Sequence, residues 1–135
     1  METRIRVRID TRGPFAGDMS FGSVGPYERL SGRVAFEVDP EALAYRSVVD
    51  LEHAPRNPSG LVEYSTDVYI LRPAELERGN RRLIYDVNNR GNKRILQWFN
   101  DGAASNEPSS AEHAGNGFIR SGNGAVTTWG GNHWI

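Results

Sequence analysis

At the amino end Ile5, Val7 and Ile9 alternate with Arg4, Arg6 and Arg8. This is the period-two pattern of a strand with one wet face, and the arginines suit an edge that must not pair with another chain. Gly13-Pro14 through Gly25-Pro26 collects turn formers and reads as a loop pinned by Phe15, Phe21 and Tyr27. Tyr27 to Val38 predicts a second strand, with Leu30, Val34, Phe36 and Val38 inward, Arg33 and Glu37 outward and Gly32 at a bulge. Asp39-Pro40 opens a turn or one helical turn capped by Asp39, and Ser47 to Leu51 predicts a short strand. Leu61 to Leu71 alternates again. Val62, Tyr64, Thr66, Val68 and Ile70 read as inward, Glu63, Ser65, Asp67 and Tyr69 as outward, and Pro73 closes the run because proline cannot donate to a ladder. Strands spaced by turns predict an antiparallel meander or small sandwich over residues 1–80.

The pattern changes after the hairpin-like Gly79-Asn80. Leu83 to Val87 is a short apolar run bounded by polar residues, the signature of a buried strand. Asn88, Asn89, Arg90, Gly91 and Asn92 follow at once, and Asn and Gly are the residues that tolerate positive φ or bond their own backbone. Ile95, Leu96, Trp98 and Phe99 then fall on one face of a short amphipathic helix, stopped at Gly102. Gly102 to Gly117, rich in Ala, Ser, Asn and Gly, reads as an ordered active-site loop or a mobile segment. Phe118-Ile119 begins a helical turn, and Ala125 to Trp129 is the last predicted strand. The fold class is therefore α+β (mixed). A β-rich region, 1–80, precedes a strand, turn, helix and strand over 81–135, and the two can form one compact domain.

Composition narrows the functions without choosing one. The chain of 135 residues is 38% hydrophobic and 24% charged, which suits one domain with a core. Net charge is −1, so no overall field favours nucleic acid or an acidic surface. Arg81, Arg82, Arg90, Lys93 and Arg94 cluster near Trp98 and Phe99, but so small a group reads as a solvated helix face rather than a nucleic-acid site. Without cysteine there is no disulfide framework, thiolate nucleophile or zinc finger. His53, His113 and His133 have no ligand spacing, so no metal and no cofactor is expected. METRIRVRIDTRG has no continuous apolar stretch for a signal peptide and no membrane-spanning run follows, so the chain as written reads as cytoplasmic.

Strand, tight polar turn and helix is a shape with chemical uses, because the first N–H groups of a helix lack intrahelical partners and can face an anion. Neither G-x-x-x-x-G-K-[ST] nor G-x-G-x-x-G is present at this turn, so an oxyanion site is a better match than a phosphate cradle. The rival account is that Asn88 to Asn92 only turns the chain between packed elements. No G-x-S-x-G nucleophile elbow occurs. Ser109 and Ser110 beside Glu112 and His113 supply the atom types of a triad, although neighbours on one loop rarely reach triad geometry; Ser110 and His113 stand as the secondary candidates.

The run RLIYDVNNRGN, with Phe21-Gly22-Ser23-Val24-Gly25-Pro26-Tyr27-Glu28 and Leu30-Ser31-Gly32 before it and Gly115-Asn116-Gly117-Phe118-Ile119 after it, resembles the amino-terminal part of a bacterial family of "alpha/beta hydrolase domain" proteins. The resemblance covers nearly the whole chain, and the family's chains are several times longer. It implies a partial α/β-hydrolase-like sheet from residue 81 onward and an esterase-type activity on a small ester-like substrate in the full-length context. It also implies an oxyanion loop at Asn88 to Asn92, with nucleophile, acid and histidine all beyond Ile135. Alone, the chain is expected to be almost inactive. The alternative is a non-catalytic, β-rich ligand-binding or oligomerisation module, with exposed sheet edges joining copies of the chain. No nucleic-acid or membrane partner is implied.

Overall fold

The computed structural model describes residues 3–88 and 90–134, with 126–134 as backbone alone. Five strands form one mixed sheet in the order β1-β2-β3-β5-β4: β1 (Arg4–Pro14), β2 (Tyr27–Val38), β3 (Val62–Pro73), β4 (Leu83–Val87) and β5 (Gly124–Trp134). The first three make the antiparallel meander that their alternation predicts. β5 then enters between β3 and β4, antiparallel to the former and parallel to the latter. A parallel pair needs a crossover. Here it consists of the Asn-rich bend, α1 (Ile95–Asn100), α2 (Ala111–Ala114) and a 3-10 turn over Phe118–Ser121. The class is α+β, and β1, β2 and β3 share a single sheet with the two strands that follow residue 80.

The crossover lies on one face of the sheet and makes the main core there. Phe15, Phe21, Tyr27, Tyr69, Leu71 and Ala125 pack with Ile95, Leu96, Ala114 and Ile119. The predicted aromatic pins of the first loop are all buried, with Phe21 set edge-on to Tyr27 at 5.5 Å between ring centroids. On the opposite face a smaller cluster of Val38, Leu51 and Val62 is covered by Tyr45 and Ala54.

Several details depart from the sequence reading, each for a packing reason. Tyr69 is buried, not outward, because β3 is central and the crossover covers the face that Tyr69 and Leu71 share. Ser47 to Leu51 is a series of turns, not a strand: β2 and β3 already have neighbours on both sides, and the segment instead lays Leu51 onto Val38 and Val62. β1 has no covered face; Ile5, Val7 and Ile9 are exposed along with the arginines. The bulge falls on β1, where Asp10 is the extra residue opposite Gly32, and Gly32 is required because a Cβ there would run into the Arg8 carbonyl. The last strand extends to Trp134 rather than stopping at Trp129.

Helix α1 departs furthest. Ile95 and Leu96 are buried, whereas Trp98 and Phe99 are 62% and 63% exposed. Its stop is Asp101, which takes the left-handed conformation (φ 53°) expected of glycine. Gly102 serves a different purpose, letting the chain pass against the His113 carbonyl.

Candidate functional site

The bend follows the carboxyl end of β4, the position outside which open α/β sheets bind ligands. Asp86, one residue before the strand's end, turns its carboxylate toward α1, where Oδ2 accepts the N–H groups of Arg94 (3.2 Å) and Ile95 (3.3 Å). A carboxylate at a helix start satisfies orphan amides and meets the positive end of the peptide dipoles. Asp86 therefore fills the place that a free anion would take on α1.

Within the bend, Arg90 (φ 53°) and Gly91 (φ 78°) are consecutive left-handed residues. Asn88 Oδ1 accepts the Gly91 N–H at 2.8 Å, the local side-chain turn that Asn favours. Asn89 lies outside the described residues. Asn106 ties the bend to the loop facing it. Its Oδ1 accepts the Lys93 N–H (2.9 Å), its Nδ2 donates to Asn92 Oδ1 (3.2 Å), and its carbonyl accepts from Lys93 Nζ. The amides of residues 91, 93, 94 and 95 are thus held by side-chain oxygens of Asn88, Asn106 and Asp86, not by backbone carbonyls. A side chain can rotate away and leave the amide where it is, so these donors are pre-positioned as well as satisfied.

Between the bend and the facing loop runs a polar groove of about 180 Å³ lined by Asn92, Lys93, Arg94, Ala104, Ser105 and Asn106. Beneath it a cavity of about 10 Å³, room for a single water, is lined by Tyr69, Leu71, Ile95, Leu96 and Ala125. Lys93 borders both. It is 5% exposed, and Nζ sits 4.8 Å from the centre of the Tyr69 ring, whose hydroxyl donates to the Pro108 carbonyl. Desolvation brings the lysine down to about 8, against the opposing pull of Glu107 and Asp67. It is also the only lysine in the chain, among fifteen arginines. The sequence reading grouped it with a solvated basic cluster; that solitary status was the signal that set it apart.

Ser110 and His113, the secondary candidates, do come together: Ser110 Oγ lies 3.0 Å from His113 Nδ1. The same nitrogen also accepts the backbone N–H groups of Ser109 (3.1 Å) and Ser110 (3.3 Å). Its one in-plane lone pair is therefore shared among three donors, an arrangement that caps α2. Among the described residues no three His, Asp or Glu side chains cluster as a metal site would require, and no helix is long and apolar enough to cross a membrane.

Compared with known proteins, the chain matches no family model, no curated protein and no solved structure.

Proposed function

We propose that this chain is the amino-terminal part of an α/β-hydrolase-like esterase, with the bend after β4 as its oxyanion loop and the nucleophile carried on a strand outside these 135 residues. The observation that carries the reading is the open edge of β4 directly beside the bend. A serine whose oxyanion is to meet these amides must stand at the carboxyl end of β4. β5 occupies one side of β4, which leaves only the outer edge for a strand bearing that serine. The residues along this edge suit such a neighbour: Leu83, Tyr85 and Val87 are 64%, 56% and 73% exposed, and the exposed rings of Trp98 and Phe99 lie on the crossover helix that follows the bend. The substrate class is a small ester, with Asn88 Oδ1 holding the Gly91 N–H until a developing oxyanion replaces it. No cofactor is required.

The test uses the full chain and a tetrahedral anion. Methylphosphonate titrated into ¹⁵N-labelled protein is expected to shift the amide signals of Arg90, Gly91 and Asn92 saturably, with p-nitrophenyl acetate turnover indistinguishable from buffer. Shifts confined to other segments would remove the oxyanion assignment, and turnover abolished by Ser110→Ala would transfer catalysis to the α2 cap.

The same edge supports a second reading, a non-catalytic module that associates through β4. A strand edge flanked by apolar side chains is a template for pairing with another chain. On that reading the molecular mass by light scattering rises with concentration, and Val87→Lys, which sets a charge on the edge, weakens self-association by at least about ten-fold. A monomer at all concentrations leaves the hydrolase reading alone.

A further inference from the structure

Lys93 carries a chemistry that neither reading uses. The chain places arginine at every other cationic position, and arginine would serve as well or better for a charge clipped to a carbonyl. Only lysine offers an amine that can lose its proton and attack carbon. Here that amine is buried on Tyr69, freed of most of its hydration, and belongs to a residue that lines a polar groove together with Arg94. Arg94 donates to Gln97 Oε1 at 2.9 Å through one terminal nitrogen, so part of its fork remains for a carboxylate. The groove, at about 180 Å³, falls below the roughly 300 Å³ at which drug-sized pockets begin, so it suits a ligand of a few heavy atoms.

We propose that Lys93 is a carbonyl-reactive amine that forms an imine with a small aldehyde or 2-oxo acid whose carboxylate is held by Arg94. The Nζ lone pair attacks the carbonyl carbon, and the C=O pair moves to oxygen, which takes a proton from the nitrogen to give the carbinolamine. Loss of that oxygen as water forms C=N. One amine and one carbonyl give one imine and one water, with no oxidant or reductant. The hydrogen bond now made to the Asn106 carbonyl survives the step, because a protonated imine keeps one N–H to donate there. Desolvation supplies the neutral amine close to physiological pH, as it does for other nucleophilic lysines. The inference does not depend on the oxyanion assignment, since it needs neither a serine nor the amides of residues 90–92.

The test treats the full chain with glyoxylate and sodium cyanoborohydride at pH 8, where any imine is trapped as a stable secondary amine located by peptide mapping. Because the chain has one lysine, only Lys93 and the α-amino group of Met1 can react. Lys93 is expected to label at least about ten-fold faster in the folded protein than in urea, where its pKa returns to the ordinary range. Arg94→Gln is expected to slow labelling by glyoxylate while leaving labelling by acetaldehyde, which has no carboxylate, unchanged; circular dichroism checks that the variant is folded. Labelling of Met1 alone, or of Lys93 no faster when folded than in urea, would reduce the lysine to a buried clip. Equal loss with both aldehydes in a folded Arg94→Gln protein would remove the carboxylate assignment. Neither result bears on the methylphosphonate shifts, so failure here is distinguishable from failure of the hydrolase reading.

Discussion

Replacing Asn100 by alanine is expected to cost about 3–5 kcal/mol of folding stability, the largest effect of any single substitution proposed for this chain. Asn100 is fully buried at the end of α1, and every polar atom of its side chain is used. Oδ1 accepts the N–H groups of Gly117 (2.8 Å) and Ile119 (3.1 Å), and Nδ2 donates to the Ala114 carbonyl. Alanine would leave three backbone groups without their present partner, the buried Ala114 carbonyl and Ile119 N–H and the part-buried Gly117 N–H, each worth about 1–3 kcal/mol, with entry of a water moderating the sum. Against a total of roughly 5–15 kcal/mol for a domain of this kind, that is a large fraction. Urea unfolding measures the loss, and hydrogen exchange should show the amides of Gly117 and Ile119 deprotected first. Asn100→Asp separates hydrogen bonding from packing. Its carboxylate keeps both acceptor bonds but faces the Ala114 carbonyl, so the variant should be weakest when ionised and recover as pH falls and the protonated acid can donate. A loss below about 1 kcal/mol for Asn100→Ala would mean that the crossover is held by apolar contact alone.

The same segment shows why the sequence was legible in some places and closed in others. β2 and β3 announced themselves through alternation because each has at least one face whose burial repeats every second residue, and the positions of the strand, bend and helix of residues 83–100 followed from local chemistry. Their burial did not, since β4 is an edge strand with Leu83, Tyr85 and Val87 exposed rather than the buried strand expected, and α1 buries only Ile95 and Leu96 of its expected apolar face. Gly102 to Gly117 did not follow from local chemistry either. Its composition is that of a flexible loop, yet the glycines are there because backbone meets backbone. A Cβ at Gly102 would strike the His113 carbonyl, at Gly115 the Asn100 carbonyl, and at Gly117 the Phe99 carbonyl. Composition cannot distinguish a glycine chosen for freedom from one chosen for closeness, since the difference lies in a partner many residues away. Burial of Tyr69 was hidden for a related reason: alternation predicts two faces but not that the crossover will cover the one that looked polar.

For the candidate site the division is similar. The bend could be located from its Asn and Gly content, but its internal wiring could not, because Asp86, Asn88 and Asn106 act on amides that a sequence pattern does not orient. Asn106 stands in the loop that Asn100 fastens down, through Ala114 and Gly117, and it forms one wall of the groove at Lys93. Stability of the crossover and integrity of the groove are thus one property. An Asn100 variant that still folds is expected to lose the selective labelling of Lys93 before it loses the sheet.

At the opposite end of the sheet, Glu28→Ala is expected to cost about 2–3 kcal/mol, and the missing charge should appear as an acid-sensitive step. Glu28 is buried on β2 between two arginines: Arg12 Nε reaches Oε2 at 2.6 Å and Arg72 Nε reaches Oε1 at 2.5 Å, joining β1, β2 and β3. Burial acts upward on the carboxyl, but hydrogen bonds and charge from Arg12 and Arg72 outweigh it and hold the group below its ordinary 4.5. Removing one partner of a fully buried ion pair costs about 3–5 kcal/mol, largely because the other is stranded. Here Arg12 is 61% exposed at its side chain and stays hydrated when Glu28 is lost, so the lower figure applies. The pH dependence follows from linkage. With the folded pKa depressed, the unfolded chain binds the proton more readily; the stabilisation is complete above about 4.5 and is lost as pH falls through the folded value. Glu28→Gln, which preserves shape and one acceptor oxygen, should therefore be less stable than the parent at pH 7 by about 1–2 kcal/mol and converge with it in acid. A gap that stayed constant from pH 7 to pH 3 would show that the carboxylate contributes packing alone, and that the two arginines are spectators at the strand edge.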